Sequence, residues 1–170
     1  MNLLEKIEQI ASESGRNKKI ELISECVVDE NFRQVFTYAL SPFYNFGITP
    51  NFNYSPKFER LSIEQALEII KERIANHNHS NVLIETVQST YNMLSYDDAE
   101  VFIRVISKDL KCGAGIGTYN AAIKQYNKTH DYALPQIPTY PCLLASAYDE
   151  KLINRLMKNN KFVDCIAQEK

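Results

Sequence analysis

The stretch SYDDAEVFIRVISKDLKCGAGIGT, residues 95–118, predicts a helix, a glycine-rich turn and the start of a second helix. Ser95 is a typical helix N-cap, and Asp97 and Asp98 follow it in the first turn, where carboxylates stabilise the positive end of the helix dipole. Apolar residues then recur at helical spacing, at Phe102, Ile106 and Leu110. The segment Cys112–Gly117 ends the predicted helix sharply.

Thr118 is predicted to cap a shorter helix over residues 121–123. The glycines before it superficially resemble a nucleotide-binding loop, but they follow a helix and lack both the GxGxxG and the GK[ST] spacing. Two interpretations stay open. The segment is either a simple helix end and turn, or a helix N-terminus whose free N–H groups, beside Lys108 and Lys111, hold a DNA phosphate.

Helical periodicity continues on the N-terminal side of this stretch. Residues 43–60 interrupt it with prolines, Phe, Tyr and Asn, which predicts an irregular connection pinned by aromatic side chains. Such aromatic residues either stack on exposed bases or, more commonly, fill a core. The predicted helices cover residues 3–11, 20–27, 29–40 with Asp29 as N-cap, 62–75 with a Ser62–Gln65 capping box, and a segment from Ser80 or Asn81 to Leu94.

The whole chain has 170 residues and a formal net charge of -2, a size that fits one complete domain and part of a second. It has no apolar run long enough to cross a membrane and no secretory signal, so we expect a cytoplasmic protein. Four separated cysteines predict reduced thiols, with neither a zinc cluster nor a disulfide framework.

Charge is distributed unevenly along the chain. Residues 104–130 carry five basic residues and one acidic residue, whereas residues 1–30 carry four basic and seven acidic residues. A local basic surface attracts a nucleic-acid backbone even when the whole chain is slightly acidic, because salt screens fields within about 8–10 Å. The alternative is a solvated helix face.

No metal site is predicted. His77 and His79 have no partner ligands at suitable spacing, and the acidic residues 97–100 are explained by the helix dipole.

The last part of the chain changes character. A polar, proline-bearing segment from Asn127 to Pro141 is interpreted as a linker, and residues 142–147 and 162–168 are predicted to be short strands flanking a helix over 152–157. We therefore predict a helical domain over residues 1–138 and the incomplete start of a second domain over residues 139–170.

Two motifs carry a family resemblance: KDLKCGA at residues 108–114 and PCLLASAYDEK at residues 141–151. Together they resemble the N-terminal part of ATP-dependent DNA ligases of T-even-like bacteriophages, which have RDLxCGA and P-x-M-L-A-S-x-Y-D-E-K. Lys108 in place of Arg and the Cys142–Leu144 segment are mild departures. The resemblance implies a mainly all-α DNA-binding domain followed by a strand-helix-strand start of the nucleotidyltransferase domain.

The resemblance also implies a catalytic role for the end of the chain. Lys170 would be the nucleophile of the K-x-D-G motif, which forms a lysine–AMP intermediate from ATP with a divalent metal such as Mg²⁺, and Gln168 matches a position near the adenine. Because the chain stops at Lys170, we expect this truncated chain alone not to ligate and not to hold a cofactor.

The implied partner is nicked duplex DNA, held through its phosphate backbone and minor groove without sequence readout. The resemblance further implies a monomer in the cytoplasm of a bacterial host cell, with no membrane partner. The predicted DNA-binding residues are Arg104, Lys108, Lys111, Gly113, Gly115, Gly117, Thr118 and Lys124.

A different class of protein remains as the alternative: a helical protein-interaction module of a replication or repair protein, supported by the aromatic loop from Phe43 to Phe58. Duplex affinity that is absent or insensitive to salt would favour that alternative. A complete small enzyme is not favoured, because no nucleophile with a positioned base is visible.

Overall fold

The computed structural model describes residues 1–48, 51–57, 61–74 and 81–139, and these form one compact unit. Within these ranges the chain folds into helices and irregular segments with no strand, which confirms the mainly all-α prediction for this part. The helices are α1 (Leu3–Ser12), α2 (Arg16–Cys26), α3 (Glu30–Leu40), α4 (Ile63–Ile74), α5 (Asn81–Asn92), α6 (Tyr96–Ile106) and α7 (Ile116–Thr129). None of them is long and apolar enough to cross a bilayer.

The predicted strand-helix-strand segment lies outside the described residues. The same holds for everything beyond Thr139, so the domain boundary at residue 138 stays a prediction.

Helix α6 lies at the centre of the fold, where it packs against α1, α3, α4 and α5. Its apolar side chains are buried on more than one side, including Val101, Phe102 and Val105 with no exposed surface. Helix α7 packs mainly on α2 and reaches the core through Tyr119, whose ring stacks 5.3 Å from Phe36. The turn between α6 and α7 therefore connects the centre of the fold to its α2–α7 side.

The helix starts follow the sequence signals. The Asp29 side chain accepts hydrogen bonds from the N–H groups of Asn31 and Phe32, and Ser95 accepts one from Asp98 N–H. Ser62 and Gln65 form the reciprocal pair expected of a capping box. These three predictions are confirmed. The sequence could predict them because N-cap bonding depends on residues within one turn of the chain.

The aromatic segment is a pinned irregular connection, as predicted, in its described parts 43–48 and 51–57. Phe46 is buried in the core, and the Tyr54 hydroxyl donates to the Leu94 carbonyl at 2.7 Å. The Tyr54 ring also lies edge-on to Tyr91 at 5.3 Å. Aromatic packing and several hydrogen bonds, among them those of Ser55 N–H and Lys57 N–H to Asn92, thus replace regular secondary structure here.

The ends of α6 and α7 differ from the prediction. Helix α6 stops at Ile106 instead of Leu110, because Lys108 adopts a left-handed φ of 59°. Leu110 is nevertheless buried, so its apolar character reflects the core and not a helical position. Helix α7 begins at Ile116, before Thr118, and runs to Thr129, so it is longer than predicted and includes the first part of the expected linker.

The rest of that expected linker, up to Thr139, is held against α7 by two asparagines. Asn120 donates to the Ile137 carbonyl and accepts from Ile137 N–H at 2.8 and 2.9 Å. Asn127, seven residues later on the same helix face, makes the same pair of bonds with Leu134 at 2.9 and 2.8 Å. The side chains of Leu134 and Ile137 are buried beneath these amide contacts. This described part is docked on the helical unit.

Replacing Asn120 by alanine removes both of its hydrogen bonds to the Ile137 backbone, and replacing Asn127 removes both of its bonds to the Leu134 backbone. Each variant should lower the free energy of unfolding by about 1–2 kcal/mol and speed chymotrypsin cleavage next to Tyr132. Chemical denaturation and a cleavage time course measure the two effects. Gln125→Ala, an exposed position on the same helix, is the matched control. Unchanged cleavage in the double alanine variant would contradict the docking role.

Candidate nucleic-acid interface

The turn from Ser107 to Gly115 has an unusual backbone. Lys108, Lys111 and Gly113 have φ values of 59°, 54° and 63°. Left-handed residues other than glycine cost roughly 1–2 kcal/mol each, so the surrounding contacts must hold this conformation. Lys111 N–H donates to the Asp109 carboxylate at 2.8 Å, which supplies one such contact.

Among the glycines predicted to bind phosphate, only Gly113 has a backbone conformation that favours glycine, because its φ is positive. Gly115 has φ -91° and ψ -177°, a conformation open to any residue, and a side chain added there would meet nothing within 4 Å. Gly117 lies in the first turn of α7, where glycine costs up to about 1 kcal/mol relative to alanine. Local backbone geometry therefore does not account for glycine at these two positions.

The start of α7 leaves polar backbone groups uncovered. Gly115 is the N-cap and provides no side-chain hydrogen bond. In the described part of the chain, the N–H groups of Ile116 and Gly117 have no acceptor, as expected for the first turn of a helix without a side-chain cap. Such N–H groups, at the positive end of a helix dipole, suit an anion.

A second helix start lies beside this one. Helix α2 also begins after a glycine N-cap, Gly15, which has no side-chain hydrogen bond and open space around it. The Arg16 guanidinium lies 4.0 Å from where a Cβ of Gly117 would be. The glycine N-caps are separated by 100 positions in sequence, yet α2 packs on α7, and Arg16 and Lys19 at the beginning of α2 reach the first turn of α7 and the turn before it.

The charges near the starts of α2 and α7 also favour an anion. Neither α2 nor α7 has an acidic residue in its first turn, a feature that they share with α5, whereas α1, α3, α4 and α6 each have at least one. Arg16, Lys18 and Lys111 are exposed around them. We call the group Gly15, Arg16, Lys18, Lys111 and Gly115–Thr118 the two-helix surface.

Arg104 does not belong to this surface. Its side chain is only 10% exposed, and its guanidinium bonds Glu100 at 2.9 Å and Glu8 at 2.5 Å. A third bond reaches the Leu110 carbonyl at 3.4 Å. Arg104 therefore pairs charges between α1 and α6, and we remove it from the predicted DNA contacts because its charge is already satisfied inside the protein.

Lys108 is also directed inward. Its ammonium donates to the carbonyls of Tyr38 and Ser41 at 2.6 and 2.7 Å and lies 5.5 Å from the centre of the Phe46 ring. It thus covers the free carbonyls at the end of α3. Burial lowers the pKa of Lys108 to about 8. We remove Lys108 from the predicted contacts because its ammonium is directed into the protein and held by two carbonyls.

The lowered pKa of Lys108 gives a pH dependence with a definite sign. The unfolded chain keeps this proton up to a pKa of about 10.4, whereas the folded protein releases it near pH 8. The unfolded state therefore binds more protons between these values, and stability rises with pH across that window.

The measurement is the free energy of unfolding of the wild type minus that of Lys108→Met at pH 7, 8.5 and 10. We expect this difference to shift in favour of the wild type as pH rises, because the cysteines and tyrosines titrate equally in both proteins and cancel. A shift in the opposite direction would mean that the two carbonyls hold Lys108 charged throughout.

The remaining predicted residues are brought together in part. Lys111 and the residues from Gly113 to Thr118 lie at the α6–α7 turn and the start of α7. Thr118 is not the N-cap, since its own N–H donates to the Gly115 carbonyl at 3.0 Å. Lys124 is exposed on the same face of α7 as Gly117, about 10 Å further along the helix.

Sequence reasoning missed Gly15, Arg16 and Lys18. The local signal was present, because a glycine followed by the basic first turn RNKK is unusual where helices favour acids. The acidic surroundings in residues 1–30 concealed it. No sequence pattern shows that this start lies beside α7.

The predicted catalytic Lys170 and the adenine-side Gln168 lie outside the described residues. So do His77 and His79, for which no metal site is predicted. Within the described ranges no cluster of three or more His, Cys, Asp or Glu side chains could hold a metal ion. Cys26 and Cys112 are free thiols, and burial raises the pKa of both.

Comparison with known proteins finds similarity to DNA ligases. The chain is 28% identical over 160 residues to the DNA ligases of Enterobacteria phages T4 and T6, which covers 92% of this chain and 31% of each of those proteins. This confirms the resemblance based on residues 108–114 and 141–151. The chain spans about a third of the length of these relatives. No protein-family model matches it.

Two solved structures share the fold. Pmar-Lig_PreS3 has a TM-score of 0.65 at 21% identity, covering 79% of this chain and 32% of that one. Pmar-Lig_Pre also has a TM-score of 0.65, at 22% identity, covering 75% of this chain and 30% of that one. At such identities the likeness concerns the fold alone.

Proposed function

We propose that this chain, which corresponds to a region of a phage-type DNA ligase, binds duplex DNA through the two-helix surface as the N-terminal domain of that ligase. The observation that carries the proposal is the pair of adjacent helix starts with glycine N-caps, free N–H groups and no acidic residue in either first turn. Similarity to the phage enzymes supplies the class of ligand.

Phosphate is the part of DNA that this surface suits. At Gly115 and Gly117 the missing side chains let an anion approach backbone N–H groups that a longer side chain would cover. Arg16, Lys18 and Lys111 are exposed and add positive charge around these N–H groups. Binding should therefore follow the duplex backbone independently of sequence. The resemblance to the phage ligases, and not this geometry, adds the expectation of contact next to the minor groove and on either side of a nick.

For the whole enzyme, we infer nick sealing through a lysine–AMP intermediate. Lys170 would act as a neutral amine toward ATP, Gln168 would lie near the adenine, and a divalent metal such as Mg²⁺ would assist the transfer. These roles rest on the family resemblance. We further infer that the chain acts as a monomer in the bacterial host cell.

Fluorescence anisotropy with nicked, intact and single-stranded DNA across a salt series tests the proposal. We expect duplex affinity to fall steeply with salt, and Lys111→Gln to weaken binding about five-fold and to reduce the salt slope by about one. Lys57→Gln is the matched control, since Lys57 is exposed in a segment whose backbone bonds to Asn92 at the end of α5.

Equal effects of the two lysine variants would remove Lys111 from the interface. Duplex binding that is absent at low salt would overturn the proposal and favour a protein-interaction module instead. The feature that supports this alternative is the exposed aromatic surface near the irregular connection, where Tyr96 is 70% exposed beside Tyr54.

A cap substitution at Gly115 should affect folding and DNA binding in opposite directions. Gly115→Ser and Gly115→Asp both place a capping side chain in open space on a suitable backbone, and each should stabilise the fold by a few tenths of a kcal/mol. Gly115→Asp also puts a negative charge where the phosphate would lie, so it should weaken duplex binding roughly five-fold or more.

Thermal unfolding and anisotropy are measured on both variants. Gly115→Ser caps the helix without adding charge, so it should weaken duplex binding less than Gly115→Asp does. Gly15→Asp repeats the experiment on α2, where the surroundings of the glycine are equally open. If Gly115→Asp stabilises the fold and binds duplex as tightly as the wild type, the start of α7 is not a phosphate contact.

A further inference from the structure

We infer that Lys19 is a positioning residue, which holds the α6–α7 turn in the conformation that presents Lys111 and the start of α7 to DNA. This inference rests on the proposed function. Lys19 itself does not reach the DNA: the residue is only 9% exposed, and its ammonium donates to the Cys112 carbonyl at 2.5 Å.

The burial of this charge requires an explanation. Among the described residues Lys19 has no carboxylate partner, and its one hydrogen-bond acceptor is the Cys112 carbonyl. Taking an ammonium out of water is unfavourable, and an apolar side chain of similar length would fill the same space without that cost. The amine is therefore explained by what it binds, a backbone carbonyl in the middle of the turn.

The position of that carbonyl connects the two halves of the two-helix surface. Lys19 lies one turn into α2, after Gly15 and Arg16. Cys112 lies between the two left-handed residues Lys111 and Gly113, three residues before the N-cap of α7. A single hydrogen bond thus joins the first turn of α2 to the segment that sets the direction of Lys111 and the start of α7.

Gly113 complements the contact. A Cβ on Gly113 would lie 2.8 Å from the Lys19 ammonium nitrogen, closer than real Cβ atoms approach other atoms. Glycine here serves two purposes, since it adopts the positive φ and leaves room for the ammonium. The turn therefore provides both the carbonyl that binds the Lys19 ammonium and the space that the ammonium occupies.

A double-mutant cycle on this chain tests the inference with duplex DNA at low temperature. Lys19→Met should weaken binding about ten-fold, and the effect of Lys111→Gln should fall to less than half of its wild-type value in the Lys19→Met background, because Lys111 is no longer held in place. Lys18→Met, the same substitution at the exposed neighbour, should combine additively with Lys111→Gln. Additivity in the Lys19→Met background would overturn the inference.

Amide hydrogen exchange of the free protein separates this inference from the proposed function, because it needs no DNA. Lys19→Met should raise exchange rates about ten-fold across residues 112–118 and leave those of α4 unchanged, whereas Lys18→Met should change neither. Unchanged exchange in Lys19→Met would overturn the positioning role even if DNA binds. If Lys19→Met raises exchange only across residues 112–118 but the wild type binds no duplex, the proposed function has failed, and the turn is nevertheless held by Lys19.

If Lys19→Met does not fold, Gly113→Ala disturbs the same contact from the other side. It keeps the lysine charge but places a methyl group 2.8 Å from the ammonium and also strains the positive φ at residue 113, so exchange across residues 112–118 should rise for both reasons. Protection in Gly113→Ala equal to that of the wild type would overturn the inference.

Discussion

The backbone of the turn between α6 and α7 is the constraint on which the rest of this fold depends. Three of its residues are left-handed, and two of those are lysines for which that conformation is costly. Contacts from elsewhere hold it: Lys19 of α2 and Arg104 of α6 donate to its carbonyls. Lys108 within the turn reaches back to the end of α3. Helix α7 leaves the core in the direction that these contacts impose.

Basic residues therefore have two different roles in this protein. Lys19, Arg104 and Lys108 bind internal carbonyls or carboxylates, where charge compensates free backbone groups at helix ends and turns. Arg16, Lys18 and Lys111 remain exposed around two glycine-capped helix starts. A count of charge along the chain mixes the two groups, whereas only the side chains of the second group are exposed and able to contact a phosphate directly.

The glycines also form two groups, one required by the internal structure and one that is not. Gly113 is glycine because its φ is positive and the Lys19 ammonium occupies the space of a side chain. Gly15 and Gly115 meet neither condition, and replacing either by serine or aspartate would cap a helix that is now uncapped. A better-capped helix would close off the free N–H groups, so the weaker caps are consistent with the proposed use of these helix starts for binding.

What the sequence by itself determined is whatever depends on neighbours along the chain. Asp29, the Ser62–Gln65 pair and Ser95 start helices through bonds within one turn, and the mainly helical class follows from apolar spacing. Only the tertiary structure decided that Arg104 and Lys108 are directed inward and that Arg16 lies beside Gly117. The physical reason is that the direction of a charged side chain depends on which carbonyls and carboxylates the folded chain brings within hydrogen-bond distance. Those partners lie up to 96 residues away in the sequence and leave no local pattern.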